Sequence, residues 1–196
     1  MYSTLRIFPI TGYGADGKPT LGTPIPLLAV GTSEKEINNI SIELTPTEST
    51  REYKADNRVE QDDVQTGFEG TVTFYGIDKT AIAAISGHRI DSNNHVVLRS
   101  NSEGNPKVCI FAQAKGEKGT KYNLWLYNVE FKGLPFSAGQ SEDNPTATSL
   151  NFFASAIPYG GEDVFGITVD YGTTGYIAEG TEPTAANLVM PEAATN

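Results

Sequence analysis

The sequence predicts a mainly β protein: an antiparallel β-sandwich or half-barrel with one short α-helix and long loops. The first observation is composition, since 20 glycines and 11 prolines accompany 38% hydrophobic residues, which favours strands and turns over helices. The second is that several segments alternate apolar and polar residues with the period of two typical of a half-buried strand. The third is that one short segment has the periodicity and end residues of a helix.

The amino-terminal part is predicted to hold two strands separated by long loops. TLRIF at 4–8 is a first strand, and the Gly- and Pro-rich run after it predicts a loop over 9–35. From Asn38, NNISIELTP alternates apolar and polar side chains, which predicts a half-buried strand that Pro46 ends. TPTEST then turns the chain, so a second loop is predicted over 46–57.

The middle of the chain is predicted to hold polar strands, an amphipathic strand and the helix. REYKADNRVEQDDVQ is interpreted as one polar strand or a pair of strands, and FEGTVTFYG at 68–76 as an amphipathic strand. One face of that strand consists of Phe68, Gly70, Val72 and Phe74, and the other of Glu69, Thr71, Thr73 and Tyr75. DKTAIAAISG predicts a helix over 78–87, with Asp78 as its N-cap and Gly87 as its stop.

The second half is predicted to be a series of strands. HVVLRS, KVCIFAQAK and KYNLWLYNVEFKG each have strand character, and GEKGT closes an antiparallel hairpin between the last two. The apolar alternation shifts between Leu126 and Val129, which predicts a β-bulge or a strand buried on both faces at one end.

The chain is predicted to form one β domain with an arm. A loop over 135–147 and a last strand, TSLNFFASAI at 148–157, complete a domain of residues 1–158. Residues 159–196 are acidic, rich in Gly and Thr and weakly patterned, which predicts a C-terminal arm. GITVDYGTTGYIAEG is a candidate for a short hairpin within it, followed by an extended tail.

The charge balance disfavours tight nucleic-acid binding. The chain carries 24 acidic and 14 basic side chains, a net charge of -10, and such a surface repels phosphate.

A single cysteine excludes an internal disulfide, and MYSTLRIFPITG lacks the pattern of a secretion signal, so folding in a reducing cytoplasm is expected. No apolar run approaches the roughly 20 residues of a membrane helix.

Two motifs match binding signatures only in part. GYGADG at 12–17 fits G-x-G-x-x-G, yet the following KPTLG cannot begin the helix that would hold a dinucleotide pyrophosphate. The spacing of Asp91, Asn93 and His95 matches the start of a calcium loop. Its sixth position is Val96 rather than the required glycine, so a turn is the better interpretation. The sequence predicts no metal and no cofactor.

The residue types of nucleophilic catalysis do not come together in the sequence. Cys109 lies inside the strand KVCIFAQ, whereas a reactive thiolate needs an exposed, electropositive setting. His88 follows the predicted helix, where a cation is favourable, and His95 lies in the adjoining turn. The protein is therefore predicted not to be an enzyme.

Five carboxylates lie between residues 53 and 76: Asp56, Glu60, Asp62, Asp63 and Glu69. Neighbours on a strand point to opposite faces, so Asp62 and Asp63 cannot chelate one ion together. Glu60 and Asp62 project on the same side about 7 Å apart, a poor spacing for a shared metal. Such a face is either a solvated edge strand or a wetted, negatively charged inner surface.

The order of these elements resembles a known family. REYKADNRVEQDDVQTGFEGTVTFYGIDKTAIAAISG combines Tyr-x-Ala-Asp-Asn, an acidic strand, a glycine-containing strand and one short helix that ends in glycine. KVCIFAQAKGEKGTKYNLWLYNVEFKGLPFSAGQSEDNPTATSLNFFASAIP then leads an alternating strand through a loop to a final apolar strand. Together, residues 36–158 resemble the major tail proteins of long-tailed siphophages that infect Gram-positive bacteria.

The resemblance implies a tail-tube fold whose subunits form hexameric rings that stack into the tail tube. In that family one sheet of each subunit lines the lumen and joins its neighbours, while long loops and terminal arms connect the rings. Genomic DNA passes through without specific binding, and a tape-measure protein fills the tube before ejection. The expected partners are further copies of the chain, the tape-measure protein and the tail terminator and initiator proteins, without a membrane, in a virion tail assembled in the host cytoplasm.

The resemblance also implies roles for particular residues. Candidates for acidic side chains that face the lumen are Glu60, Asp62, Asp63 and Glu69. Candidates for contacts between subunits are Tyr53, Asp56, Asn57 and Phe136.

Two alternatives remain: a carbohydrate-binding β-sandwich, or another virion component such as a decoration or tail terminator protein. The stacking residues of a carbohydrate site would be Tyr75, Tyr122, Trp125 and Tyr127, although core packing is favoured for Trp125.

Overall fold

One large antiparallel sheet organises the protein. The computed structural model describes residues 2–27, 41–55, 58–75, 77–93, 95–98, 105–115, 119–132 and 147–192. The strands in these ranges are β1 Tyr2–Tyr13, β2 Pro19–Leu21, β3 Ser41–Ala55, β4 Arg58–Tyr75, β5 Arg89–Ile90, β6 Val96–Val97, β7 Lys107–Lys115, β8 Lys121–Lys132, β9 Ala147–Ala154, β10 Ile157–Tyr159, β11 Glu162–Val164 and β12 Gly166–Asp170. The helix α1 is Lys79–Ser86, and Ala185–Asn187 form one 3₁₀ turn. The predicted fold class, mainly β with a large antiparallel sheet and one helix, is confirmed.

The strands of the large sheet follow the order β2-β1-β7-β8-β9-β4-β3. Strand β8 lies at a fork in this order. Along one edge it pairs with β7, while its other edge pairs with β12 near its start and with β9 near its end. Two hairpins, β5 with β6 and β10 with β11, lie outside the sheet. Beyond this edge of β8 the sheet thus has two parts, one formed by β12 and the other by β9, β4 and β3.

A β-bulge in β8 sets which side chains reach each face. Val108 of β7 lies opposite Val129, whereas Ile110 lies opposite Leu126, so β8 has one more residue than β7 in this interval. The extra residue restores Val129 to the face that Leu126 occupies, and both belong to the same core. The predicted bulge is confirmed. All residues from 123 to 129 are buried, so β8 is covered on both faces.

The first core lies between one face of the sheet and α1. It includes Leu5 and Ile7 of β1, Val72 of β4, Phe131 of β8, Phe152 of β9, and Ala81 and Ile85 of the helix. The carboxylate of Asp78 accepts a hydrogen bond from the Thr80 backbone N–H at 3.2 Å, and Gly87 has a φ of 73° at the other end. The predicted helix and both of its end residues are confirmed.

The second core lies on the opposite face, where the C-terminal segment covers β1, β7 and β8. We call residues 171–192 the C-terminal strap. Its Ile177 and Leu188 pack with aromatic side chains of the sheet, among them Phe111, Trp125 and Tyr127. The burial of Ile177 and Leu188 against these rings is the main contribution of the strap to stability.

The strap is also held by side chains that bond to its backbone. Gln113 Nε2 donates to the carbonyl oxygen of Ile177 at 2.8 Å, and Tyr127 Oη donates to that of Val189 at 2.9 Å. Residues 171–192 of the predicted arm thus pack on the sheet. The hairpin in this region is β10 with β11, and the GITVD segment pairs with β8 as β12.

Two of the predicted loops contain strand. β1 continues to Tyr13 and β2 follows, so the 9–35 region is partly sheet, and residues 28–35 lie outside the described part. β3 passes through Pro46 and continues to Ala55, which replaces most of the loop predicted over 46–57. β3 is an edge strand, where a proline without an N–H need not interrupt the ladder. The 135–147 loop lies outside the described residues except Ala147, which begins β9.

No helix in the described ranges is long and apolar enough to cross a membrane.

Substitution of Gly70 tests the packing of β4 against its neighbours. A Cβ at this position would overlap the Phe152 ring and lie 2.7 Å from the carbonyl oxygen of Glu43, so Gly70→Ala is expected to lower the free energy of unfolding by about 1–3 kcal/mol. Gly12→Ala is the matched control, because nothing lies within 4 Å of its Cβ. Urea unfolding, followed by the fluorescence of the single tryptophan, measures both. Equal stability of the two variants would contradict this packing.

Candidate functional site

The candidate site is the face of β3, β4 and β9 that points away from the first core, which we call the open face. Its described side chains are polar except for one aromatic ring, and all are exposed or half-buried. The open face consists of Ser41, Glu43 and Thr45 of β3, Glu69, Thr71 and Thr73 of β4, Ser149, Asn151 and Phe153 of β9, and Glu130 and Lys132 of β8. The second core, which contains Ile177 and Leu188 of the strap, includes no residue of β3, β4 or β9.

Cross-strand hydrogen bonds join hydroxyl and amide groups of the open face. Thr71 Oγ1 donates to Asn151 Oδ1 at 2.9 Å, and the hydroxyl oxygens of Thr73 and Ser149 lie 2.9 Å apart. These pairs lie directly opposite each other in the β4–β9 register, which brings their Cβ atoms within the short cross-strand distance. The result is a regular hydrophilic surface.

The cations of the open face are each held by a carboxylate. Lys132 Nζ lies 2.9 Å from Glu69 Oε1 and 5.1 Å from the centre of the Phe153 ring. At the border of the face, Lys107 Nζ lies 3.8 Å from Glu130 Oε2. Glu43 has no ion pair with a described residue. The face therefore has a small negative balance, and its ammonium groups already have partners.

A long two-stranded arm extends from the sheet next to the open face. The arm consists of residues 47–55 of β3 and 58–67 of β4, which among the described strands pair only with each other. Pairing between β4 and β9 ends at Phe68 opposite Ala154, so no described strand pairs with the arm as a third strand. Nine residues of extended chain span about 30 Å. Its described side chains at 48–50, 63, 65 and 66 are exposed.

The four predicted lumen acids occupy different parts of this region. Glu60 lies opposite Tyr53 in the arm, and Asp62 lies opposite Arg51. Asp63 accepts a hydrogen bond from Thr50 Oγ1 at 2.7 Å, while Glu69 lies on the open face in its ion pair with Lys132. Their orientation toward a lumen stays a prediction.

A second β-bulge separates Asp63 from Glu69. Thr47 lies opposite Gly67 but Glu48 lies opposite Gln65, so Thr66 is the extra residue, and its hydroxyl donates to the Thr47 carbonyl oxygen at 3.1 Å. Glu69 is opposite Thr45 and Asp63 is opposite Thr50, five residues further along β3. Since side chains alternate along a strand, Asp63 and Glu69 project from opposite faces of the hairpin.

The predicted subunit contacts are placed only in part. Tyr53 belongs to the β3 side of the arm. Asp56, Asn57 and Phe136 lie outside the described residues, so their proposed contacts stay predictions.

Two of the aromatic residues of the carbohydrate alternative are buried and unavailable for stacking. Trp125 and Tyr127 are fully buried in the second core, where the Trp125 ring lies 4.7 Å from that of Phe111. Core packing of Trp125 is therefore confirmed. Tyr122 is half-buried at the start of β8, and Tyr75 lies opposite Ala147 at the end of β4. No sugar ring can reach Trp125 or Tyr127 in this structure.

The candidate nucleophile Cys109 is likewise inaccessible. It is fully buried in the second core, and burial raises the pKa of its thiol. His95 lies in the turn between β5 and β6, where its Nδ1 is 3.1 Å from Asp91 Oδ2.

The two partial motifs form turns. GYGADG joins β1 to β2, so a strand rather than a helix follows it. Asp91 Oδ1 accepts hydrogen bonds from the backbone N–H groups of Asn93 and His95, and the bond from His95 is the main cause that lowers the pKa of Asp91. Within the described ranges no group of three or more His, Cys, Asp or Glu side chains is placed to hold a metal ion.

The pairing of hydroxyl and amide residues on the open face is not evident from the sequence. Alternation places Thr71 and Thr73 on one strand face, and the structure adds Ser149 and Asn151 as their partners. The available signal was the polar alternation in TSLNFFA, which matches that of GTVTF. Pairing of the two segments needs a contact over about 80 positions, so alternation alone could not identify it.

No protein-family model matches the chain, and no curated protein matches it by sequence. The interpretation of the site therefore depends on its geometry and on the resemblance of residues 36–158.

The ion pair of the open face provides a test of its solvation. In a double-mutant cycle with Glu69→Gln and Lys132→Met, the coupling free energy is expected to be about 0.2–1 kcal/mol, because both side chains are more than half exposed. Chemical unfolding of the four proteins measures this coupling. A coupling of several kcal/mol would indicate a desolvated pair and would contradict an open face.

Thiol labelling tests the burial of Cys109. A disulfide reagent at pH 8 is expected to leave the native protein unlabelled and to modify one thiol per chain in denaturant, because only the exposed thiolate reacts. Absorbance of the released thiolate measures both reactions. Rapid labelling under native conditions would show that the second core opens.

Proposed function

We propose that the protein is a structural virion protein, the subunit of a phage tail tube, which polymerises as stacked rings around a channel for genomic DNA. The observation that carries this proposal is the open face: a regular polar sheet surface beside a protruding arm, on the half of the sheet that has no residue in the second core. The resemblance of residues 36–158 to siphophage major tail proteins supplies the assembly, with hexameric rings as the expected form.

The chemistry of the open face suits the wall of a DNA channel. Its hydroxyl and amide groups already bond to each other across β4 and β9, and its lysines are paired with carboxylates. The ammonium group of Lys132 is therefore not free to bind a passing phosphate backbone. The protein as a whole, with a charge of -10, repels phosphate. This is a hydrated, weakly acidic wall rather than the dense ring of acids that Glu60 and Asp62 alone suggest.

The arm suits assembly rather than an isolated subunit. A two-stranded ribbon is at best marginally stable in water when nothing else packs on it. Over 47–55 and 58–67 the described pairing is within the ribbon alone. Contact with a neighbouring subunit would stabilise it, which agrees with roles for Tyr53, Asp56 and Asn57 at a subunit interface.

The proposed partners follow from the tube. They are further copies of the chain, the tape-measure protein inside the lumen, and the terminator and initiator proteins at the two ends. DNA is in transit and is not bound specifically. The protein is placed in the virion tail after assembly in the host cytoplasm, and no catalytic step is proposed.

Electron microscopy of the purified protein tests the proposed assembly. At high protein concentration, negatively stained samples are expected to show rings or hollow tubes, because the arm and the sheet edges can pair between copies. A protein that stays monomeric at high concentration and with tail initiator proteins present would contradict the proposal and favour a decoration protein.

Charge reversal distinguishes the lumen from other surfaces. Glu43→Lys with Glu69→Lys adds cations to the open face and is expected to make assembled tubes retain short double-stranded DNA at low salt. Co-sedimentation of DNA with the tubes measures retention, which should fall as salt is raised.

The matched control is Glu162→Lys with Asp163→Lys on β11, where both side chains are exposed and the charge change is equal. If the control tubes retain as much DNA as the open-face tubes, the open face is not the wall of the channel.

A further inference from the structure

The two ends of the large sheet differ in their capacity to accept another strand. At one end lies β3, whose outer edge has no described partner. At the other end lie β2 and the chain that follows it, where Pro19, Pro24 and Pro26 lack backbone N–H groups. The N–H groups of Gly22 and Ile25 in this segment are bonded to the carbonyl oxygens of β1. The prolines therefore leave this end with fewer N–H groups for a further strand.

A head-to-tail ring needs two different, complementary surfaces on each copy. Because the β2 end has fewer N–H groups for pairing, a complement of β3 elsewhere in the sheet is favoured. The fork at β8 provides one, because β12 pairs with β8 along one edge and with no described strand along the other.

Hydrogen bonding identifies the groups on the free edge of β12. The Tyr171 N–H donates to the Lys121 carbonyl oxygen at 3.0 Å, and the Tyr127 N–H donates to that of Phe165 at 3.0 Å. In an antiparallel pair the residues that face the partner alternate, so Ile167 and Val169 also face β8.

The backbone groups of Gly166 and Thr168 consequently point away from β8. Within the described part of the chain they have no hydrogen-bond partner, and Thr168 is exposed. The Asp170 carbonyl oxygen is already occupied by the N–H of Thr173 at 3.2 Å. The free edge of β12 is therefore short and centred on Thr168.

The arm is the complementary strand. Pro46 removes one N–H from the part of β3 that lies in the sheet, whereas residues 48–55 contain no proline. The β4 edge of the arm begins beside β12 of the same chain, where the rings of Phe68 and Phe165 are 5.3 Å apart. The β3 edge of the arm lies on the far side of β4 from that contact, so a second copy can approach it.

We propose, on the basis of the ring assembly proposed above, that the free edge of β12 in one copy pairs with residues 48–55 of the arm in the next copy. The arm thereby gains a third strand, which no described segment of its own chain provides, and the outward backbone groups of Gly166 and Thr168 gain partners. The contact is heterologous, so it continues from copy to copy until the ring closes.

Thr168→Pro tests the receiving edge. Proline removes the outward N–H of Thr168 but no hydrogen bond to β8, so the chain should fold and lose the contact. The association constant is expected to fall about tenfold or more, with rings and tubes lost in proportion. Thr168→Val, which keeps the N–H and removes the hydroxyl, is the control and should assemble. An unchanged emission spectrum of Trp125, buried against β7 and the strap, reports that the fold is retained.

Assembly of folded Thr168→Pro at the level of the control would overturn the proposal. If Thr168→Pro does not fold, cross-linking decides. Chains with Thr168→Cys are mixed with chains with Thr50→Cys, or with Ser49→Cys for the other face of the arm, and treated with a short bismaleimide. Cys109 is buried and does not compete.

The proposal predicts a cross-linked species of two chains in at least one mixture and none in either variant alone. Cross-linking within each variant alone would show a symmetrical contact, and no cross-linking in assembled mixtures would show a different interface; both overturn the proposal. A double variant with both cysteines that links only within one chain would mean that the arm folds back on its own β12, which also overturns it.

These results are separable from the tube itself. Hollow tubes of wild-type and Thr168→Pro protein would leave the tail-tube function standing and remove the β12 contact. Cross-linked mixtures that never form hollow tubes would support the β12 contact and remove the tail-tube function.

Discussion

The covering of strand β8 on both faces is the constraint on which the rest of the structure depends. Residues 123–129 are all buried, so each face of the strand needs its own apolar layer. Helix α1 closes the first core, and the C-terminal strap closes the second. The described ranges contain one helix and one strap. In those ranges, only the half of the sheet formed by β1, β7 and β8 has an apolar layer on both faces. The β9, β4 and β3 half keeps one face open to water.

The fork follows from the same strand. β9 occupies the second edge of β8 only beyond the bulge, and the earlier part of that edge is taken by β12. Among the strands that the structure describes, β4 therefore continues past the end of β9 as an arm with no third strand, and β12 has one edge without a partner. The open face, the arm and the free edge of β12 thus all follow from the division of one edge of β8 between β12 and β9. A ring of subunits would use all three.

The sequence predicted those elements whose signals are local. The helix was predicted by Asp78 and Gly87, and the bulge by the shift of parity between Leu126 and Val129. Pro46 was misleading, because a proline ends a central strand but is tolerated at an edge, and only the sheet order shows that β3 is an edge. The strap depends on Gln113 and Tyr127 bonding to carbonyl groups more than 60 residues away, for which the sequence has no local signal. For the same reason Glu69 was grouped with Asp63, although a bulge at Thr66 separates their faces.

The most direct measurement of the central claim is a cryo-electron microscopy reconstruction of tubes assembled from the purified protein. The row of Thr71, Asn151 and Lys132 is expected to face the tube axis, with the strap and α1 away from the lumen. Tubes whose inner wall is formed by the strap or by α1, or an assembly with no continuous lumen, would contradict it.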